Sequence, residues 1–317
     1  MFDQLLSTMR VIALPTKTNF RGVTSREVAL FQGEYGWGEF SPFLEYDDQE
    51  SSWWLASAIE AATKPRPPRV RSSIPVNGTI PATNNKDVID RLIASYNGVK
   101  TYKVKVGDNL SEDIVRLARI RSLGREVKIR IDVNGLWSVE QALTNLYAFY
   151  ENVGPFEYVE QPCATIEEMR ELKSKIRIPL KIAADEVIRK AADPFAIDLN
   201  GAADIVMLKV QPLGGIKRSL EIAAHHKLPV VVSSALESAV GIHYGLELAA
   251  SLAELNYDCG LATGSLMSGD VADLQIIDGS IAVGELDIKL DGLDVAPDRY
   301  EWWKNRAMRC AEVLGLS

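Results

Sequence analysis

Thr101-Tyr102-Lys103-Val104-Lys105-Val106 sets the pattern from which the fold is read: a short apolar run that closes on a charged side chain. The form returns as Arg130-Ile131-Asp132-Val133-Asn134, Tyr158-Val159-Glu160-Gln161-Pro162, Ala183-Ala184-Asp185-Glu186 and Val206-Met207-Leu208-Lys209-Val210. It returns once more in the run that ends at Ser233-Ser234. From Lys105 onward the polar ends follow one another at steps of 27, 28, 25, 24 and 24 residues. Each step is about one strand plus one helix. Most runs are rich in Val and Ile and alternate little, as parallel strands buried on both faces do.

Working outward, strands are expected at residues 74–80, 101–106, 127–133, 158–161, 180–184, 205–210 and 230–233, with a weaker one at 259–263. The segments between them carry helix starts. Ser138 with Gln141 and Thr165 with Glu168 have capping-box spacing, and Ser111 opens a helix with Ile114, Leu117 and Ile120 near one stripe. Pro179 and Pro229 stand where a preceding helix must stop and a strand begins. Eight strands alternating with helices suggest a (β/α)8-type barrel, with a doubly wound open sheet as the alternative. No Gly-x-Gly-x-x-Gly follows the first strand, which weakens a dinucleotide reading.

The first seventy residues differ. Residues 10–14, 28–32 and 36–40 read as antiparallel strands with glycine turns, followed by a Trp- and Ala-rich helix at 49–63. Lys64-Pro65-Arg66-Pro67-Pro68-Arg69 is a stiff basic linker. After about residue 285 the chain returns to short strands and a helix near 302–314. The expected division is an N-terminal cap over 1–74, a barrel over 75–284, and a segment over 285–317 that rejoins the cap. Trp53, Trp54, Trp302 and Trp303 mostly serve cap packing on this reading. Gly214-Gly215 is either an anion nest or, more simply, the turn that feeds the next helix.

The 317 residues carry 35 Lys+Arg against 43 Asp+Glu, a net charge of −8. Such a chain is a poor partner for nucleic acid or an anionic membrane. A small-molecule substrate is expected, and an anionic one would need local cations or a metal. Three cysteines, Cys163, Cys259 and Cys310, lack a Cys-x-x-Cys spacing and read as reduced thiols. The start, with Asp3 and Gln4, does not read as a signal peptide, and no apolar run reaches membrane-spanning length. A cytoplasmic protein is expected.

In a barrel the polar strand ends converge at the C-terminal mouth, where such folds place their chemistry. Taken singly, each has a structural use: a strand-end Asp caps a helix, and a Lys-x-Lys lies on a solvated face. The order Lys, Asp, Glu, Asp, Lys on successive strands is hard to assign to structure alone. Lys103 and Lys105 are two apart and share one side of their strand. Asp132, Glu160 and Asp185 form an all-oxygen set of the kind that suits Mg²⁺. A lysine near a divalent cation loses affinity for its proton and can serve as a base.

At these residues the chain resembles the enolase superfamily, in its muconate-lactonizing-enzyme-like subgroup. The likeness spans nearly the whole sequence: the mixed cap, Lys-x-Lys, Asp-x-Asn, Glu-Gln-Pro, Asp-Glu and a lysine on the sixth strand. It implies an α/β fold with a (β/α)7β TIM-like barrel and an α+β cap built from both chain ends. It implies that Asp132, Glu160 and Asp185 bind Mg²⁺, with Mn²⁺ able to substitute. Lys105 would be the base, Lys103 an assisting cation, and Lys209 would sit on the opposite face of the substrate. Ser233, Ser234 and the backbone of Gly260 would hold a succinyl carboxylate. Asn134, Glu186 and Arg130 would support the set, and the cap segment around Asn19-Phe20-Arg21-Gly22-Val23 would close over it.

Lys209-Val-Gln-Pro-Leu-Gly-Gly215 and Ser233-Ser-Ala-Leu-Glu-Ser238 bring the chain nearest to a dehydratase branch. The activity implied is syn-elimination of water from 2-succinyl-6-hydroxy-2,4-cyclohexadiene-1-carboxylate through a metal-stabilised enediolate. A racemase of N-succinylamino acids, using Lys105 and Lys209 on two faces, is the alternative. Dipeptide epimerases of the subgroup carry Asp-x-Asp on the eighth strand to hold an ammonium; here the stretch is Gly260-Leu261-Ala262, which disfavours a dipeptide substrate. The partner expected is a small anionic substrate, with no nucleic acid and no membrane, and the protein a monomer or small homo-oligomer.

Overall fold

The computed structural model describes residues 2–20, 22–107 and 109–316. A short helix α1 (Phe2–Leu6) leads into an antiparallel sheet in the order β1 (Arg10–Phe20), β2 (Val23–Gly33), β3 (Gly36–Phe40), followed by helix α2 (Asp48–Thr63). After β4 (Ser73–Pro75) the strand–helix rhythm begins. The elements are β5 (Gly78–Ile80), α3 (Lys86–Ser95), β6 (Thr101–Lys105), α4 (Leu110–Arg121), β7 (Lys128–Asp132), α5 (Val139–Val153), β8 (Tyr158–Glu160) and α6 (Ile166–Lys175). They continue with β9 (Lys181–Ala184), α7 (Glu186–Arg189), β10 (Ile205–Lys209), α8 (Ile216–His226), β11 (Val230–Ser233) and α9 (Ala239–Ser251). Small strands β12 (Ile276–Ile277) and β13 (Ser280–Ala282) form a sheet with β4 in the order β12-β13-β4, and α10 (Pro297–Val313) completes the chain.

Strands β5 to β11 form one parallel sheet in sequence order. Its helix-facing side chains, among them Val104, Ile131, Val159, Ile182, Leu208 and Val232, are buried in the main core. The opposite parity points inward, and Tyr158, Ala183, Ile205, Met207, Val231 and Tyr257 form a separate apolar cluster there. The strand-end residues share that inward parity and sit one layer above it. The all-parallel, doubly buried pattern read from the sequence is thus realised.

Two strand expectations are corrected. Residues 74–80 do not form one strand: Ser73–Pro75 pairs with β13, and only Gly78–Ile80 joins the barrel sheet. Pro75 offers no N–H to a ladder, and the chain changes sheets just after it. The weak strand at 259–263 contracts to two residues. Cys259 bridges Val76 and Gly260 bridges Ser233, so this pair ties the two sheet edges together and closes the ring. A Cβ on Gly260 would lie 2.6 Å from Ser233 Oγ, so any larger residue there would push the Ser233 hydroxyl from its place. By Ala262 the backbone has turned toward the short 3-10 helix at Thr263–Leu266.

Ser138 and Thr165 form the capping boxes expected of them, whereas α4 is capped by Asn109 rather than opened by Ser111. Helix α10 runs longer than 302–314, starting at Pro297, a residue suited to the first helical turn. Both chain ends build the cap. Val11, Phe31, Phe40, Trp54 and Ala58 share one core with Trp303, Ala307, Cys310 and Ala311, and Phe40 meets Trp303 edge-to-face at 5.7 Å. All three cysteines are free and buried. Among the described residues no helix is long and apolar enough to cross a membrane.

Candidate active site

Parallel pairing places Lys105 beside Asp132 and Asp132 beside Glu160, at the C-terminal ends of β6, β7 and β8. Asp185 and Lys209 follow at the ends of β9 and β10. Three carboxylates and three ammoniums meet in this layer. Lys103 Nζ contacts Asp132 Oδ2 at 2.9 Å and Glu160 Oε1 at 2.7 Å. Lys105 Nζ donates to the same Asp132 Oδ2 at 2.9 Å and to Asn134 Oδ1 at 2.6 Å. Lys209 Nζ reaches Asp185 Oδ2 at 2.5 Å. All three carboxylates are buried.

Burial and neighbouring charge set the proton affinities. Burial pulls Lys103 down, but Asp132 and Glu160 outweigh it and hold the ammonium well above its ordinary range. Burial lowers Lys105, and Asp132 offsets this only in part while Lys103 adds to the lowering. The two lysines are therefore differentiated, Lys103 as a fixed cation and Lys105 as the one that gives up its proton more readily. Burial raises Asp132 and Asp185, yet the lysines, with Arg189 on Asp185, hold both well below the usual carboxylate range. Burial pushes Glu160 up to about 7, with Lys103 opposing.

Of the supporting residues, Asn134 accepts from Lys105 and donates to Glu186 Oε1 at 3.1 Å. Arg130 is placed elsewhere. It lies two residues down β7, bonded to Glu157 at 2.6 Å, Asn77 at 2.7 Å and the Asp258 carbonyl at 2.6 Å, and stacks on Tyr158. It fills the barrel interior below the carboxylates. Ser233, Ser234 and Gly260 line the mouth with Phe43, Thr79, Leu236 and Thr263, around a cavity of only about 40 Å³. The Gly260 N–H donates to Val232 O at 2.8 Å and its carbonyl accepts from Ser234 Oγ at 2.6 Å. Barrel closure thus already uses the Gly260 N–H, the backbone donor that a substrate carboxylate would need. Of the cap segment 19–23, Arg21 lies outside the described residues.

Sequence reasoning missed Arg189. It is buried, four residues after Asp185, with Nε 3.3 Å from Asp185 Oδ1 and Nη2 2.7 Å from Glu186 Oε1. Its Nη1 also reaches the cap at Tyr46 OH, 3.3 Å away. The i, i+4 spacing was a readable signal. Phe43 carried none, because only the packing of the cap brings it to the mouth.

The site's donor chemistry fits a hard divalent cation. Its ligand candidates are all oxygen; buried Glu160 Oε2 has no hydrogen-bond partner, and Asp185 Oδ1 has none beyond the ion-pair contact with Arg189. Among the described residues, no three Asp, Glu, His or Cys side chains are drawn together at metal-binding distance. The Lys103 ammonium lies between Asp132 and Glu160, and the Lys209 ammonium is paired with Asp185.

Comparison with known proteins accords with this geometry. Residues 87–298 match the family described as enolase C-terminal domain-like, and residues 11–62 match enolase N-terminal domain-like. The chain belongs to the enolase superfamily. Superfamily relatives similar to it include the o-succinylbenzoate synthase of Mycobacterium ulcerans strain Agy99, 49% identical over 98% of this chain and 95% of that one. The o-succinylbenzoate synthase of Mycobacterium leprae is 48% identical over 98% and 93%. Among solved structures, muconate lactonizing enzyme from Pseudomonas putida superposes with a TM-score of 0.70 at 20% identity, covering 93% of this chain and 97% of that one. N-succinyl Arg/Lys racemase from Bacillus cereus reaches 0.74 at 20% identity, covering 91% and 97%. These two likenesses concern the enolase-superfamily fold alone.

Proposed function

We propose that the chain is an o-succinylbenzoate synthase, a cytoplasmic carbon–oxygen lyase of menaquinone biosynthesis. It would convert 2-succinyl-6-hydroxy-2,4-cyclohexadiene-1-carboxylate to 2-succinylbenzoate and water. The observation that carries this reading is the row of strand ends, with Lys105 Nζ 2.9 Å from Asp132 Oδ2, Glu160 on the next strand and Lys209 paired with Asp185 beyond it, in a chain 49% identical to an o-succinylbenzoate synthase.

Lys105 takes the proton from the carbon bearing the ring carboxylate, and the C–H electron pair moves into that carboxylate. The protonated Lys105 then hands a proton to the hydroxyl on the same face, the C–O bond breaks, and water leaves. Ring aromatisation drives the second half. Mg²⁺, held by Asp132, Glu160 and Asp185, would when bound neutralise the charge that develops on the carboxylate oxygens. Lys103 supplies further fixed positive charge, and Lys209 a cation near the ring. Ser233 and Ser234 line the mouth where the succinyl arm would lie, and the Ser234 hydroxyl would turn from the Gly260 carbonyl to donate to it. The mouth is narrow, a cavity of about 40 Å³, so entry of a ring-sized dianionic substrate requires its lining to move apart.

The test is ultraviolet detection of substrate loss, with Mg²⁺ and with excess EDTA. Turnover that stops on chelation and returns with Mg²⁺ is expected. Lys105 and Lys209 also offer acid–base groups from two strands, the equipment of an N-succinylamino-acid racemase. Deuterium washout from N-succinylphenylglycine measures that activity directly. Washout without dehydration would replace the proposed reading.

A further inference from the structure

We infer that Arg116 is a positioning residue for Lys105, gripping the main chain of the base from behind the barrel wall. The inference rests on Lys105 being the proton carrier proposed above. Neighbouring residues of a strand turn their amides and carbonyls to opposite sides. Val106 N–H donates to Asp132 O at 3.2 Å, toward β7, so the Lys105 carbonyl faces the other way, toward β5. There β5 has already ended, because its last residue, Ile80, pairs with Val104. The base therefore stands one residue beyond its neighbour strand, where the ladder has run out.

Arg116 of α4 takes over. Its Nη1 donates to Lys105 O at 3.0 Å, its Nε to Thr83 O at 2.9 Å, and its Nη2 to Asn84 Oδ1 at 3.0 Å. One planar guanidinium thus splints the end of β6 to the loop after β5. Asp113, one turn earlier, pairs with Arg116 at 2.5 Å, and its other oxygen accepts from Gly107 N–H at 2.9 Å. The pair also fixes the chain just after the base. Both side chains are buried. A buried ion pair adds little net stability once desolvation is counted, so its contribution here is geometry. Arg116 lines an outer groove beside α3 and not the mouth, so it reaches the chemistry only through Lys105. A lysine carries its amine at the end of four methylenes, which magnifies a small turn at the Cα.

The experiment measures kcat and KM for dehydration by Arg116→Met and Arg116→Lys, with circular dichroism and Tm as folding controls. Misplacement of a catalytic group by about 1 Å can cost on the order of 100-fold. Arg116→Met should therefore lose roughly 10- to 100-fold in kcat, with KM within about threefold. Arg116→Lys retains charge against Asp113, but its three N–H donors on one point cannot match a planar fork that serves four acceptors, and it should recover part of the loss. A folded Arg116→Met with kcat within threefold of wild type overturns the inference, as does a loss that appears in KM instead. If Arg116→Met does not fold, Arg116→Lys decides: kcat reduced at unchanged KM supports the inference, and undiminished kcat overturns it. A wild-type chain that fails to dehydrate the substrate would defeat the functional reading, whereas wild-type turnover with undiminished variants defeats only this one.

Discussion

Glu60, in the cap, caps a barrel helix at Ile216: its Oε1 accepts from the Ile216 N–H at 2.6 Å and from Lys217 N–H at 3.2 Å, the opening amides of α8. Tyr244 OH donates to the same oxygen at 2.6 Å. Gly215 precedes α8 with φ +114°, and a Cβ there would lie 2.5 Å from Glu60 Oε1. The glycine pair is thus the turn feeding a helix, and a carboxylate of the protein itself occupies the amide cluster. Glu60→Ala should lower unfolding free energy by about 1–2 kcal/mol, the usual cost of a lost helix cap. Urea denaturation checks this, and an unchanged midpoint would show that the contact does not hold the cap on the barrel.

Asp132→Ala, Glu160→Ala and Asp185→Ala should each abolish turnover while leaving a folded chain. Each removal also takes a carboxylate away from a buried lysine: Lys103 keeps one of its two when Asp132 or Glu160 is lost, whereas Asp185→Ala takes the ion-pair partner of Lys209, so some stability is lost alongside. Isothermal titration with Mg²⁺ alone separates the two effects. Undiminished Mg²⁺ binding by all three variants would show that the ligands lie elsewhere.

Lys105 and Lys209 should respond differently to arginine. Arginine stays protonated at any working pH and cannot act as a base. Lys105→Arg should lose about 10²–10⁴-fold in kcat. Lys209→Arg should keep measurable dehydration, since a cation near the ring suffices there, while losing any racemisation of N-succinylamino acids. Initial rates on both substrates test this, and equal retention of dehydration would remove Lys105 from its role as sole proton carrier.

Glu237 gives a pH signature. It is buried beside the mouth, and burial, with Glu39 adding repulsion, pushes its carboxyl up to about 7. Arg26 and the backbone oppose the shift without cancelling it. A carboxyl with a raised folded pKa is protonated in the folded state while the unfolded chain ionises, so stability falls as pH rises from about 4.5 to 7 and stays reduced above that. Glu237→Gln removes the penalty. Its gain in Tm should be absent near pH 4 and full at pH 8. A gain that does not vary with pH would show that Glu237 is not titrating in this window.

Much of the site was legible because its residues end strands buried on both faces. That arrangement leaves Glu160 and Lys209 as the charged positions of otherwise apolar strands, and Asp132 at the end of a strand whose other buried charge is Arg130. The eighth strand was hardly legible, because Cys259 and Gly260 make one bridge each and no run of residues is needed for that. Arg130 sits in the same inward row as Asp132 and reads like a site residue; only its partners, Glu157 and the Asp258 carbonyl, place it lower in the barrel. Glu60, Arg116 and Phe43 act through contacts between elements distant in sequence, for which local pattern carries no signal.

The cap's dependence on both ends of the chain bears on how it is made. Arg306 donates to the Phe43 carbonyl across 263 residues. At the usual speed of translation, roughly 13 to 50 seconds separate the synthesis of these two positions. Through that interval Phe31, Phe40 and Trp54, all buried in the finished core, have no α10 to pack against. The barrel strands emerge meanwhile, each next to its partner in sequence order. The barrel can therefore assemble on the ribosome while the cap waits, so truncation before α10 should yield a chain that is prone to aggregate at its N-terminal end.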